Sequence, residues 1–337
     1  MLTIVLTGGG TAGHVMPNIA LLPELKKRFG CIHYVGSTPL EESLVRCENI
    51  PYHKITSVKL DRSKLFSNLK IPYLLQKGIK EARELLKLIA PSVVFAKGGY
   101  VSLPACIAAK MMNIPVICHE SDYTLGLANK IMSVLGAKII TSFPETKGGL
   151  YIGNPVRKEI YESSRNTPSL PPKLDPKKKT VLICGGSSGS IAINSAVYNN
   201  LTELTKKYNV VHISGKNGNF DIDAKNYLQF KYCNNFPYYL HLCDLIVCRS
   251  GSNTLFEAAS LGKPCLTIPL PKSVSRGDQI LNAKSFARQG YCEILPQNEL
   301  CSDKFSQSIE KCFAMRPKAL NVGEINKKIV DTIVSYI

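Results

Sequence analysis

Apolar residues in this chain gather in short unbroken runs, separated by stretches with helical spacing. The runs fall at 3–6, 92–95, 116–118, 138–141, 180–184, 210–213, 245–248 and 265–268. Strict alternation would mark strands with one wet face. Continuous runs mark strands covered on both faces. Strands that alternate with amphipathic helical segments predict parallel sheets with helices on each side. The first run enters Gly8-Gly9-Gly10, and the run at 180–184 enters Gly185-Gly186-Ser187, so each half of the chain opens on a similar unit. Between them, residues 166–179 are rich in Pro, Ser and Lys, which is linker chemistry. The 337 residues suit two domains. The expected fold class is α/β, with two Rossmann-like doubly wound parallel-sheet domains facing a cleft.

Composition adds limits. At 45% hydrophobic residues the chain can bury a core, and no apolar run approaches the length of a membrane span. The N-terminus reads as a strand entering a glycine turn and not as a secretion leader. Twelve cysteines include no C-x-x-C pair, and Cys118, Cys184, Cys248 and Cys265 sit inside apolar runs as small hydrophobes. So many free thiols point to a reducing cytoplasm. The formal charge of +17 suits either solubility or an anionic partner. Residues 54–87 hold nine Lys/Arg against three acids.

Several turns carry chemistry. Gly8-Gly9-Gly10-Thr11-Ala12-Gly13 satisfies G-x-G-x-x-G after a strand. The next strand, near 32–35, ends in Gly36-Ser37 without the acid that holds a dinucleotide ribose, which weakens a nicotinamide or flavin reading. A helix N-terminus aimed at an anion or polar group remains, with His14 beside it. Lys97-Gly98-Gly99-Tyr100 and His119-Glu120-Ser121-Asp122 follow strands at the carboxyl edge of the same sheet. In the second half, Arg249-Ser250-Gly251-Ser252-Asn253-Thr254 leads from strand to helix in a form that suits a pyrophosphate. Glu257, one turn on, is placed to accept from two ribose hydroxyls. The chain lacks a Walker loop and H-E-x-x-H, and Asp221-Ile222-Asp223 is its only D-x-D, in a loop-like setting. A nucleotide diphosphate would then meet helix dipoles and basic side chains, with no metal.

These segments, with Gly153-Asn154-Pro155-Val156-Arg157 and Asp278-Gln279 through Asn282-Ala283, occur in an order that resembles the MurG family. That GT-B family comprises the bacterial UDP-N-acetylglucosamine–N-acetylmuramyl-(pentapeptide) pyrophosphoryl-undecaprenol N-acetylglucosaminyltransferases. The resemblance spans nearly the whole chain. It implies an acceptor domain over 1–156, joined by a C-terminal helix at 324–337, and a UDP-GlcNAc domain over 157–323. It implies an inverting transfer of GlcNAc from UDP-GlcNAc to the 4-hydroxyl of undecaprenyl-pyrophosphoryl-linked muramyl-pentapeptide, in peptidoglycan synthesis and without a cofactor.

The same resemblance implies the site. His14 is the base, with Glu120 as second choice. The donor set is Thr11, Ala12, Gly13, Asp122, Arg157, Ser187, Cys233, Arg249, Ser252, Asn253, Thr254, Glu257, Gln279 and Asn282. Within it Glu257 holds the ribose, Ser252–Thr254 with Ser187 and Arg157 surround the diphosphate, Gln279 meets the sugar, and backbone near Cys233 pairs with uracil. Thr11, Gly13 and His14 also lie near the acceptor diphosphate or the reacting hydroxyl. Ala12 stands where the family usually has Gly, and Ser121-Asp122 where it commonly has Gln-Asn. The Asp122 departure leaves open a transferase acting on another glycolipid, or a GT-B epimerase, and a non-catalytic sugar-nucleotide-binding module is a separate alternative. Lys59, Arg62, Lys64, Leu65, Phe66, Leu69, Lys70 and Tyr73 interleave apolar and basic groups, as an anionic membrane surface would require. The expected location is the cytoplasmic face of the cell membrane, as a peripheral protein. No nucleic-acid partner is expected, because no stacking platform or nucleic-acid motif accompanies the charge.

Overall fold

The computed structural model describes residues 1–60, 65–162, 169–186, 189–219, 222–233 and 235–337. Ser187, Arg62, Lys64 and Asp221 from the sequence reading lie outside them. The chain forms two compact units, Met1–Lys158 with Val322–Ile337, and Glu159–Asn321.

In the first unit β1 (Thr3–Thr7), α1 (Ala12–Ala20), α2 (Leu22–Leu25), β2 (Cys31–Gly36), α3 (Pro39–Arg46) and β3 (Tyr52–Lys54) come first. A 3-10 turn over Leu65–Lys70 then precedes α4 (Ile71–Ile89), β4 (Val93–Ala96), α5 (Ser102–Met111), β5 (Val116–Glu120), α6 (Leu127–Val134), β6 (Lys138–Thr141) and β7 (Leu150–Tyr151). The strands pair in parallel in the order β3-β2-β1-β4-β5-β6-β7. All of β4 and β5 is buried, which accounts for their unbroken apolar runs. On one face Val5, Val35, Val94 and Cys118 pack against Ala82 and Leu86 of α4 and Ala105, Ala108 and Ala109 of α5. Gly78 lets α4 press on the chain after β3: a Cβ there would lie 2.1 Å from the Thr56 carbonyl oxygen.

A short helix, α7 (Lys158–Tyr161), leads into the second unit. There follow β8 (Thr180–Cys184), α8 (Ile191–Lys207), β9 (Asn209–Ile213), β10 (Tyr227–Phe230), α9 (Phe236–Leu242), β11 (Leu245–Cys248) and α10 (Ser252–Ser260). β12 (Cys265–Thr267), α11 (Asp278–Arg288), β13 (Cys292–Ile294) and α12 (Ser302–Phe313) complete it, and α13 (Val322–Val334) belongs to the first unit. The second sheet is also parallel, in the order β10-β9-β8-β11-β12-β13. Its core joins Val181, Ile183, Val247 and Leu266 to Ile193, Val197 and Leu201 of α8 and Phe305 and Ile309 of α12.

Both sheets follow one plan. The first strand lies inside, the next two extend to one side, and the fourth pairs on the other. The order reverses between β1 and β4, and again between β8 and β11. Ligands of open α/β sheets bind outside the carboxyl ends of strands at such a reversal. The glycine turns after β1, β4 and β8, and the Arg249–Thr254 turn after β11, occupy those positions. Among the described residues no helix is long and apolar enough to cross a membrane.

Candidate active site

In the second unit, the reversal holds a cavity of about 730 Å³, within the usual range for a small-ligand pocket. Gly185, Gly186 and Gly189 line one wall with Ser190 and the start of α8. Arg249, Gly251 and Thr254 form the next, at the start of α10. Leu270, Val274 and Gln279 close it from the loop between β12 and α11, and Gln297 from the turn after β13. Two long helix starts therefore face one space, a setting that favours an anion.

Arg249 is the charged residue among the described residues that line this cavity. Its guanidinium donates to Ser190 Oγ at 2.6 Å, Gln297 Oε1 at 2.7 Å and the Ile268 carbonyl at 3.0 Å. These acceptors are neutral, so they orient the fork and leave its charge for a ligand. Burial lowers its pKa, which expresses the same lack of nearby counter-charge. Ser190 also caps α8, accepting from Ile193 N at 3.3 Å.

Other members of the expected donor set have varied places. Thr254 and Gln279 line the cavity with Arg249. Gln279 Oε1 accepts from Leu270 N at 3.0 Å, which ties α11 to the loop it follows. Asn253 and Glu257 are half-buried on α10. Burial raises the pKa of Cys184, a cavity residue, and the charges of Cys248 and then Glu257 add to that rise. Ser252 is buried at the first position of α10. Asn282 is fully buried and donates to the Ser250 carbonyl at 3.1 Å. It supports the turn that ends in Gly251 by this bond. Cys233 follows β10 and does not line this cavity, and burial raises its thiol pKa. Arg157, Thr11, Ala12, Gly13 and Asp122 belong to the first unit.

In that unit the glycine loop rests on Glu41, which the motif reading passed over. Its carboxylate is fully buried and accepts from Gly10 N and Ser37 N at 2.7 Å each and from Thr38 N at 3.0 Å. The Gly10 amide is thus already bonded, and the negative charge beneath it disfavours a phosphate there. The available signal was the capping box Thr38-x-x-Glu41. Gly10 has φ +86°, and a Cβ on it would meet the Tyr100 ring at 2.7 Å. Gly99 has φ +79°, and its Cβ would lie 2.4 Å from Gly9 O and 3.4 Å from His14 Nδ1. The two glycine turns therefore pack together beside His14. Half-exposed, His14 has Nδ1 3.2 Å from Thr11 Oγ1.

Glu120 is buried, and its carboxylate accepts from Asp122 N at 3.1 Å, Gly126 N at 2.7 Å and Asn129 Nδ2 at 2.8 Å. Burial raises its pKa while these donors oppose the rise. This carboxylate organises the loop after β5 and is not presented as an open base. Gln297 also escaped the motif reading, because it lies far along the chain from the turn it serves and carries no local pattern.

The residue order matches two family models, the glycosyltransferase family 28 N-terminal domain over residues 4–141 and its C-terminal domain over 180–334. The chain is 41% identical over 349 residues to a UDP-N-acetylglucosamine–N-acetylmuramyl-(pentapeptide) pyrophosphoryl-undecaprenol N-acetylglucosamine transferase of Clostridium novyi (strain NT), covering 99% of this chain and 97% of that protein. It is 42% identical over 322 residues to the protein of the same name in Geobacillus kaustophilus (strain HTA426), covering 92% and 90%. The crystal structure of Acinetobacter baumannii MurG shares the fold, with a TM-score of 0.72 at 23% identity over 99% of this chain and 100% of that one.

Proposed function

The chain belongs to glycosyltransferase family 28, and on that premise we propose that it moves GlcNAc from UDP-GlcNAc to the 4-hydroxyl of undecaprenyl-pyrophosphoryl-linked N-acetylmuramyl-pentapeptide, in peptidoglycan synthesis. The observation that carries the donor half is the guanidinium of Arg249, held by neutral acceptors at a cavity where α8 and α10 begin. The near full-length similarity to transferases of that name supports the acceptor half.

The diphosphate of UDP lies along the start of α10, near Thr254 and Arg249. Glu257 accepts from the ribose hydroxyls. His14 is the base: in the tautomer that carries its proton on Nδ1, which lies 3.2 Å from Thr11 Oγ1, Nε2 is the nitrogen that takes the proton of the acceptor hydroxyl. The hydroxyl oxygen attacks the anomeric carbon from the face opposite UDP, and its proton passes to Nε2. The bond from that carbon to the β-phosphate oxygen breaks, and its electron pair leaves with UDP. The product has inverted configuration. Charge growing on UDP is met by Arg249 and the α10 amides, already oriented before the reaction.

The acceptor is carried by lipid, and Lys59, Leu60, Leu69, Lys70 and Tyr73 are exposed at and before the start of α4. Leu65 and Phe66 belong to the same stretch of sequence, and their side chains lie outside the described ones. We assign this surface to peripheral contact with the cytoplasmic leaflet.

The test offers radiolabelled UDP-GlcNAc and a panel of lipid-linked acceptors to the purified protein. Label on the muramyl-pentapeptide lipid is expected. Transfer only to another glycolipid would reject the acceptor, and UDP binding without any transfer would reject the enzyme. A Glu257→Ala chain is expected to bind UDP-GlcNAc more weakly than the wild type does. Unchanged affinity would move the donor site elsewhere.

A further inference from the structure

The first unit contains a buried lysine that the transfer mechanism above does not use. Lys97 follows β4 directly and starts the Gly98–Gly99 turn, and only 2% of it is exposed. Its Nζ lies 2.5 Å from His119 Nδ1 and 3.2 Å from Asn154 Oδ1. His119 Nε2 lies 2.8 Å from the Gly153 carbonyl, which can only accept, so Nε2 carries the proton. Nδ1 is then an acceptor, and Lys97 is its donor. Asn154 Oδ1 also accepts from Ser121 Oγ at 3.0 Å and Ser142 Oγ at 3.3 Å. One ammonium thus joins the ends of β4 and β5 to the segment after β7.

The backbone of Lys97 fixes the other end of the arrangement. Lys97 N donates to Thr7 O at 2.9 Å, and the turn it begins packs on Gly9 and His14. The segment at 153–156 is held in turn by α13, since Val156 N donates to Asn326 Oδ1 at 3.2 Å and Asn326 Nδ2 donates to Val156 O at 2.8 Å.

We propose that Lys97 is a positioning residue of the transfer reaction: through His119 and Asn154 it locks the glycine turn beside His14 to the segment by which the chain leaves this unit. This rests on the proposed function for the role of His14, but the bonds themselves do not. A lysine without a carboxylate partner is a costly choice for a purely structural tie, because burial opposes its charge in the absence of close counter-charge. The groups that face it are neutral His119 and Asn154, with Glu120 and Asp122 further off. Burial holds its pKa down to about 7, and the two carboxylates oppose that shift. Its charge is therefore adjustable near neutrality, and an anion arriving at these strand ends would strengthen it.

The experiment measures transfer by the full chain from about pH 6 to 9, with UDP binding by calorimetry on the same samples to count folded second units. In Lys97→Met, kcat per UDP-binding molecule is expected to fall about tenfold to a hundredfold, with the UDP Kd unchanged. The alkaline limb contributed by Lys97 is expected to vanish. Asn154→Asp keeps the acceptors and adds a negative charge beside Nζ, so that limb is expected to move up by about one pH unit or more. Equal turnover and an unmoved profile in Lys97→Met would overturn the proposal. If that variant does not fold, an unmoved limb in Asn154→Asp overturns it alone. Absence of transfer by the wild type would instead defeat the proposed function, so the two failures are distinct.

Discussion

Arg249 shows how a single residue can be read at two levels. Its place before a helix start was legible from the order strand, small-residue turn, helix. The neighbours that orient it were not, because Ser190 and Gln297 lie 59 and 48 residues away in sequence. The same division holds in the first unit, where the glycines, His14 and the turn beginning at Lys97 announce a site, but the buried Glu41 and the partners of Lys97 do not. An Arg249→Leu chain is expected to lose about 10²–10³ in kcat/KM for UDP-GlcNAc, the effect of removing a preoriented donor from a leaving group. UDP affinity should fall while uridine affinity changes little, as calorimetry with both ligands would establish. Equal weakening of both would mean that Arg249 acts by holding the Ile268 carbonyl and not by meeting phosphate. A second residue sets an acid limit. His212 is buried between Tyr227 Oη at 2.9 Å and Asn194 Oδ1 at 3.0 Å, and burial lowers its pKa to about 4. Between about pH 6.5 and 4 the unfolded chain binds the proton that the folded chain refuses, so stability rises with pH there and is lost on acidification. Urea midpoints at pH 7 and 5 should converge for His212→Gln relative to the wild type. A wild-type midpoint with the same pH slope as the variant would contradict this.

At the scale of elements, the interior strands were legible and the edges were not. β1, β4, β5, β8 and β11 each carry an apolar run because helices cover both faces, and the polar residues in β1, β5 and β8 fall at their ends. The strands missing from the pattern, β3, β7, β10 and β13, are the four edges of the two sheets. They have two to four residues, and every one of them has half-exposed or exposed positions. Such segments bury too little to leave a periodic trace. Helix α4 carries a sharper lesson, because local preference and packing disagree at Gly78. Ala is favoured over Gly inside a helix by about 1 kcal/mol. The new Cβ would stand 2.1 Å from the Thr56 carbonyl oxygen, a backbone atom that cannot rotate aside. Overpacking of this kind costs about 1–3 kcal/mol, so Gly78→Ala is expected to destabilise the first unit by thermal melting. Glu81 would feel the shift, since it accepts from Thr56 N at 2.6 Å and Thr56 Oγ1 at 3.0 Å. A higher melting temperature would show that helix propensity outweighs the contact.

For the molecule as a whole, chain order and unit membership diverge. The second unit interrupts the first, whose last helix arrives only after residue 321. The contribution of α13 is apolar: Ile325, Ile329, Val330 and Ile333 are buried, and Asn326 holds both backbone groups of Val156. Burying each large aliphatic side chain stabilises by about 1.5–3 kcal/mol. The exposed Arg28–Asp331 pair adds little beside that. The sum is comparable to the whole stability of an ordinary domain, about 5–15 kcal/mol. A chain ending at Asn321 is therefore expected to lose the first unit while the second, whose core contains no residue of α13, keeps its fold. Hydrogen exchange followed by peptide should show β1, β4 and β5 exchanging freely, with β8 and β11 still protected and further protected by UDP. Transfer should be absent, since His14 loses its support. If β1 and β4 remain protected in that chain, α13 decorates the first unit instead of completing it.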